Sequence, residues 1–181
     1  MTMKKLYILR HAKSSWDDSS LSDFDRPLNA RGQKAAATVG RHMRSEGLSF
    51  DHVVASPAVR IVETVEQVEA GYGSALAPAW DRRIYLASAS TLMDVIHELP
   101  NGADSALLIG HNPGLEDLVL MLVPDRVGDL LRDSVEEKFP TAALAVLTFD
   151  TGDWSAIRSS AGSLIRFVRP RDLDPALGPE N

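Results

Sequence analysis

Short apolar segments alternate with longer amphipathic segments along most of the 181 residues. Apolar runs bounded by polar residues are typical of buried strands, whereas apolar residues repeated every three or four positions indicate helices. The runs predict strands, which we place at residues 5–9, 50–55, 105–109, 141–149 and 164–168. The helical spacing predicts helices, which we place at residues 31–46, 56–70, 91–99 and 113–122, with Ser90 as the cap of the third.

Strands that alternate with helices in this way predict an α/β sandwich with a mostly parallel sheet. The last two strands have no helix between them and are expected to add an antiparallel element. The sequence contains no internal repeat or linker, so residues 1–181 are interpreted as one domain with a core at about residues 4–170. The Pro-rich, charged residues from Arg169 onward are expected to form an irregular tail.

Composition narrows the classes of function. The net charge of −6 disfavours nucleic-acid and anionic-membrane partners, and no segment is apolar for the roughly 20 residues that span a bilayer. The absence of cysteine excludes disulfides and thiolate chemistry. We therefore expect a cytoplasmic protein, in which any local cluster of arginine residues is informative.

Three polar segments directly follow predicted strands. These are Arg10-His11, residues 56–60 with Arg60, and residues 110–114 with His111. Ligands of open α/β sheets bind just outside the carboxyl ends of the strands, so the two histidines and two arginines are expected to meet at one edge.

Such a cluster suits phosphoryl transfer. A neutral imidazole can attack phosphorus and carry the phosphoryl group, while guanidinium groups match phosphate oxygens with paired donors. A second imidazole, if protonated, would add another donor. The cluster therefore forms a phosphate clamp that contains its own nucleophile and needs no metal or other cofactor.

The motifs resemble those of a known family. The start Leu9-Arg10-His11-Ala12 resembles the Arg-His-Gly signature of the histidine phosphatase (phosphoglycerate mutase-like) superfamily, with alanine at the usual glycine. Three other segments resemble further motifs of that family. They are residues 56–60 with Thr64, residues 110–112, and residues 25–28 with Gly32. Three segments are similar to those of the short SixA-type phosphohistidine phosphatases. They are Arg-His-Ala-Lys-Ser-Ser-Trp at 10–16, Gly-His-Asn-Pro-Gly-Leu-Glu at 110–116 and Lys-Phe-Pro-Thr at 138–141.

The resemblance implies a three-layer fold with a mostly parallel central sheet flanked by helices. It also implies His11 as the nucleophile, with Arg10, Arg60 and His111 binding the phosphoryl group. Further substrate contacts are expected from three residues, Ser14, Arg26 and Asn112. The short chain leaves little room for a cap over the site, and an open site suits a substrate that is itself a phosphorylated protein.

The general acid of many superfamily members has no clear equivalent here, because Asn112 follows the second histidine. An alkoxide leaving group needs a proton, whereas the imidazole released from phosphohistidine is a weaker base. The missing acid therefore favours an N–P substrate. Asp17, Asp18 and Glu116 remain candidate proton donors that the sequence does not rank.

Several other functions stay open. The nearest alternative is a phosphatase for small phosphomonoesters, and an alternative of another class is a non-catalytic module that recognises phosphate. A mutase is disfavoured because an open site does not protect a phosphoryl group from water. A metal site built from His11 and His111 with Asp17 or Glu116 is also disfavoured, since two arginines would repel the cation.

Overall fold

In the computed structural model, which describes residues 3–179, six strands form one mixed sheet. In chain order they are β1 (Lys4–Arg10), β2 (His52–Ala55), β3 (Ala79–Trp80), β4 (Ser105–Gly110), β5 (Leu144–Phe149) and β6 (Gly162–Val168). Their order across the sheet is β3-β2-β4-β1-β5-β6. The strands β1 to β4 pair in parallel, whereas β5 and β6 are antiparallel additions. The predicted α/β class and the antiparallel element are thus confirmed.

Helices cover both faces of the sheet. In chain order they are α1 (Ala30–Ser45), α2 (Val59–Tyr72), α3 (Ala89–His97), α4 (Gly114–Leu122), α5 (Leu130–Glu137) and α6 (Pro170–Leu173). Apolar residues of α1 and α2 form one core, and those of α3, α4 and α5 form the other. Within residues 3–179, no helix combines the length and the apolar character needed to cross a bilayer.

The central strand β1 shows how the sequence builds these three layers. Leu6 and Ile8 pack into the core beneath α3 and α4, whereas Tyr7 and Leu9 pack into the core beneath α1 and α2. Successive side chains of a strand point to opposite faces, so a strand that is covered on both sides is continuously apolar. The three-layer sandwich follows from this pattern.

Several predicted boundaries were wrong by a few residues. The third helix begins at Ala89, and its cap is Ser88, whose hydroxyl accepts the Thr91 amide at 3.2 Å, rather than Ser90. The strand predicted at 141–149 begins only at Leu144, because Ala142 adopts a left-handed backbone with φ of 60°. The sequence reading also missed α5, in which only Arg132 and Val135 are buried.

The C-terminal segment differs from the irregular tail that the sequence predicted. It forms α6 and a 3-10 turn at Pro175–Leu177, and both pack beside α1. Lys34 of α1 lies 3.7 Å from Asp174, and the Arg31 guanidinium donates to the Gly178 carbonyl. These contacts with α1 hold the segment against the body of the protein.

The carboxyl ends of β1, β2 and β4 lie at one edge of the sheet. Arg10 pairs with Gly110 in the register of β1 and β4, and the His11 amide donates to the Gly110 carbonyl at 3.2 Å. The Ser56 amide donates to the Ile109 carbonyl at 3.1 Å. The three segments that carry the predicted site residues therefore leave the sheet side by side.

The loop after β1 depends on the close approach of Gly32. A Cβ atom added to Gly32 would lie 2.1 Å from the Lys13 carbonyl oxygen, which is closer than real Cβ contacts. Asn29 caps this turn of α1, since its side chain accepts the Gly32 amide at 2.8 Å and its own amide donates to Lys13. Glycine at position 32 thus lets α1 support the loop that follows His11.

The variant Gly32→Ala is expected to lower the free energy of unfolding by about 1–3 kcal/mol, because the Lys13 backbone must shift to admit a methyl group. Urea unfolding measures the change. Gly102→Ala is the matched control, since a Cβ atom there meets nothing within 4 Å. Equal stability of the two variants would contradict this account of the contact.

Candidate active site

His11 and His111 face each other at the edge of the sheet. They directly follow β1 and β4, and the centroids of their rings are 5.4 Å apart. Both side chains are buried, with 7% of His11 and 3% of His111 exposed. The structure thus brings together the two histidines that the sequence placed at one edge.

A backbone carbonyl fixes the ring of His11. Its Nδ1 atom lies 2.7 Å from the carbonyl oxygen of Ala12. A carbonyl oxygen can only accept a hydrogen bond, so Nδ1 carries the proton and Nε2 of the neutral ring keeps its lone pair. The His11 ring therefore presents an unprotonated nitrogen.

Burial also keeps both imidazoles neutral. Burial lowers the pKa of His11 to about 3; the hydrogen bond to Ala12 opposes this shift, whereas the charge of Arg10 adds to it. Burial likewise lowers the pKa of His111 to about 3, with Arg60 acting in the same direction. His111 is therefore neutral in the ligand-free protein, unlike the protonated second imidazole considered from the sequence. A bound phosphate dianion would raise the pKa of His111.

Arg10, Arg26 and Arg60 converge beside the two histidines. The Arg10 guanidinium donates to the Phe139 carbonyl at 3.0 Å. Arg60, which is 2% exposed, donates to the backbone carbonyl and to the carboxylate of Asp23 at 2.7 and 3.1 Å. These contacts orient two of the guanidinium groups while leaving part of each free to bind another acceptor.

Asp23 connects several of these groups, and the sequence analysis missed it. Its carboxylate accepts hydrogen bonds from Arg60, Arg26 and the Tyr85 hydroxyl at 3.1, 3.1 and 2.5 Å. Burial opposes ionisation, but these three donors outweigh it and hold the pKa of Asp23 well below its usual range. Asp23 is thus an ionised anchor for two arginines.

Four buried polar atoms of the site have no hydrogen-bond partner among the described residues. They are Nδ1 of His111 and the Nε atoms of three arginines, Arg10, Arg26 and Arg60. Buried donors are nearly always paired in folded proteins, so a cluster of unpaired donors indicates a binding site for acceptors. Phosphate supplies oxygen acceptors and a charge that matches the guanidinium groups.

The predicted substrate contacts Ser14, Arg26 and Asn112 all lie near this cluster. Arg26 donates to the Ser14 hydroxyl, and its guanidinium stacks 3.6 Å from the ring centroid of the exposed Trp16. The Asn112 amide donates to Phe139 at 2.9 Å, and its oxygen accepts the Glu116 amide at 3.2 Å. Asn112 therefore supports the loop, and a direct substrate contact remains a prediction for all three.

The three carboxylates considered as proton donors lie in different surroundings. Asp17 and Asp18 are exposed, and Asp18 accepts hydrogen bonds from the hydroxyl and amide of Ser20 at 2.5 and 3.0 Å. Glu116 is partly buried on α4. Burial lowers the pKa of Arg10, and the charge of Glu116 opposes that shift, so this carboxylate acts on the site electrostatically.

Two supporting residues escaped the sequence analysis. Glu63 accepts the Leu28 amide at 2.8 Å across 35 positions, and no local pattern indicates such a contact. The ring of Tyr85 lies edge-on to that of His111, with the ring centroids 5.4 Å apart, and no local pattern indicates this contact either.

Ser56 and Thr64 belong to a motif that the sequence singled out, but it assigned a role to neither. The Ser56 hydroxyl lies 2.8 Å from Nε2 of His111. The Thr64 hydroxyl accepts the amide of Ala12 at 3.0 Å.

The two low pKa values predict a loss of stability in mild acid. An unfolded histidine titrates near 6.5, so the stability is fully present above that pH and is lost as the pH falls towards about 3. Each histidine is expected to lower the free energy of unfolding by about 2 kcal/mol between pH 7 and pH 5. Urea unfolding at the two pH values measures this difference.

The double variant His11→Gln with His111→Gln should lose most of this pH dependence. His52→Gln, at the opposite end of the sheet, serves as the control and should keep it. A double variant as acid-sensitive as the wild type would contradict the neutral state of the two rings.

Comparisons with known proteins agree with this geometry. The sequence model described as Histidine phosphatase superfamily (branch 1) matches residues 6–83. The uncharacterized protein Rv1276c of Mycobacterium tuberculosis is 31% identical over 165 residues, which cover 90% of this chain and 100% of the relative.

Two solved structures assigned to SixA share the fold. The chain from Nakamurella multipartitia has a TM-score of 0.81 at 23% identity, covering 94% of this chain and 98% of its own. The chain from Agrobacterium tumefaciens has a TM-score of 0.75 at 27% identity, covering 92% and 98%. With the matching family motif and the paired histidines, these similarities establish that the chain belongs to the histidine phosphatase superfamily, branch 1, and is of the SixA type.

Proposed function

We propose that this protein hydrolyses phosphohistidine on a protein substrate and that the phosphoryl group is carried in transit on Nε2 of His11. The observation that carries the proposal is the hydrogen bond from His11 Nδ1 to the Ala12 carbonyl at 2.7 Å, since it leaves Nε2 unprotonated. The low pKa of the ring, about 3, supports a neutral nucleophile at any physiological pH.

The reaction has two displacements. In the first, the Nε2 lone pair attacks phosphorus, the N–P bond of the substrate breaks, and its electron pair remains on the departing imidazole. In the second, water attacks the phosphorus on His11, and the P–Nε2 bond breaks with its electron pair returning to Nε2. Inorganic phosphate leaves, and one proton of the attacking water passes to the solvent. Covalent catalysis of this kind divides one difficult displacement into two easier ones.

Positive charge around the phosphoryl group is the main catalytic contribution of the remaining residues. The unpaired Nε–H groups of Arg10 and Arg60 are buried donors suited to the equatorial oxygens. Nδ1 of His111 adds a third donor when the Ser56 hydroxyl donates to Nε2 of the same ring. Because the guanidinium groups supply the charge, the proposed reaction needs no metal ion.

The substrate class follows from the leaving group. The carboxylate nearest to the phosphate-binding groups is Asp23, and its ionisation makes it a poor proton donor. Among the three predicted donors, Glu116 alone acts electrostatically on Arg10. Because these carboxylates are poorly suited to donate a proton, the site suits an imidazole leaving group better than an alkoxide leaving group. The SixA neighbours carry the name phosphohistidine phosphatase, which supports the same substrate.

Substrate competition tests this choice. The protein should release phosphate from a phosphorylated histidine phosphotransfer domain with a kcat/KM at least about 10²-fold above that for any of a panel of sugar phosphates. Phosphate release is measured at equal enzyme concentrations. Preferential hydrolysis of sugar phosphates would replace the proposal with a small-molecule phosphatase, and binding without turnover would indicate a recognition module.

Two variants should separate the nucleophile from the phosphate clamp. His11→Ala is expected to lower turnover by at least about 10³-fold while inorganic phosphate still binds, because the donors remain. Arg60→Ala is expected to lower kcat/KM by about 10²–10³-fold and to weaken phosphate binding as well. Calorimetry measures the phosphate affinity, and His52→Ala is the control. Retained turnover in His11→Ala would refute the role of His11.

A further inference from the structure

A basic groove shares Arg10 with the phosphoryl site. Its volume is about 630 Å³, which is in the range of binding sites for sizeable ligands. One wall is the end of α5 with the loop that leads into β5, and the other is formed by the start of α1 and the C-terminal segment from Arg169 to Pro179. The segment predicted as an irregular tail therefore builds part of a concave surface at the functional edge.

The charge of this groove is opposite to that of the whole protein. Six cationic side chains line it, and Glu137 is the one carboxylate among its described lining residues. The cations are Arg10, Lys13, Arg31, Lys138, Arg169 and Arg171. In a chain of net charge −6, such a concentration creates a local positive field that attracts anions.

Some of these cations bind other groups of the protein, and two are available to bind a ligand. Arg169 pairs with Asp172 at 2.9 Å, and Arg31 donates to the Gly178 carbonyl. Lys138 and Arg171 are exposed and form no salt bridge with any residue in the range 3–179. They stand on opposite walls, Lys138 at the end of α5 and Arg171 on α6.

Arg10 joins the groove to the phosphoryl site. Arg10 lines the groove, and its buried Nε atom is one of the unpaired donors of the site, where its charge acts on both His11 and His111. A molecule whose phosphoryl group lies between the histidines would therefore place an adjoining part of itself in the groove. The groove extends the site along one direction rather than forming a separate one.

We infer that the groove binds an acidic polypeptide segment next to the phosphorylated histidine of the substrate protein. This inference rests on the proposed function. Carboxylates match the separated cations, while none of the described lining residues is aromatic, so a nucleobase would find no ring to stack on. Apolar side chains such as Ala35 and Leu177 offer contacts to the stems of an extended chain.

Two synthetic phosphohistidine peptides test the inference, one with glutamate residues beside the phosphohistidine and one with glutamine at the same positions. The glutamate peptide should have a kcat/KM roughly tenfold higher at low ionic strength, since two exposed ion pairs contribute a few-fold each. The ratio should fall as salt is added.

The double variant Lys138→Glu with Arg171→Glu should reduce this ratio to one or below. The ratio of two peptides on one enzyme cancels any general loss of activity. Arg158→Glu is the matched control, because Arg158 is exposed in the β5–β6 connection at the opposite end of the sheet and should keep the wild-type ratio. A wild-type ratio of one, or a ratio that survives in the double variant, would overturn the inference.

A binding measurement separates the groove from the proposed reaction. Fluorescence anisotropy of dye-labelled hexaglutamate needs no turnover. Failure to hydrolyse either peptide, together with hexaglutamate binding that Lys138→Glu and Arg171→Glu abolish, would contradict the proposed function while supporting the groove. Displacement of hexaglutamate by a much lower concentration of inorganic pyrophosphate would show a site for small polyphosphates and would overturn the inference.

Discussion

The parallel pairing of β1 with β4, in the register that sets Arg10 beside Gly110, is the constraint on which the site depends. Because both strands end at the same level, His11 and His111 leave the sheet together and their rings meet at 5.4 Å. A shift of the pairing by one residue would turn the side chains of one strand to the opposite face and separate the two rings. The apolar residues on both faces of β1 make such a shift costly, so the two packed cores also protect the geometry of the site.

The edge of the sheet that carries the site is rich in positive charge, although the protein as a whole is acidic. Burial, aided by the charges of nearby arginines, lowers the pKa of both imidazoles and keeps them neutral. Asp23 holds Arg26 and Arg60 in place through charge-assisted hydrogen bonds. The same edge continues into a groove rich in lysine and arginine. Positive charge is therefore concentrated where a phosphorylated, acidic partner would arrive.

The sequence predicted the parts that depend on local pattern. Continuous apolar runs located the buried strands, and residues directly after those strands were found together at one edge. It did not predict Asp23 or Tyr85, whose contacts span many residues and follow no local periodicity. The C-terminal helical turns were missed for a similar reason, since contacts with α1 rather than propensity hold them. The tautomer of His11 also depends on the folded backbone, because only the path of the chain brings the Ala12 carbonyl to Nδ1.

The central claim is that Nε2 of His11 carries the phosphoryl group, and direct mapping of the intermediate tests it. The enzyme is mixed with a phosphohistidine protein and quenched in alkali, in which phosphohistidine is stable. Peptide mass spectrometry then identifies the modified residue, and the phosphorus-31 NMR shift identifies the modified ring nitrogen. The account predicts a phosphoryl group on Nε2 of His11. A phosphoryl group on Nδ1 or on His111, or turnover without any trapped adduct, would contradict it.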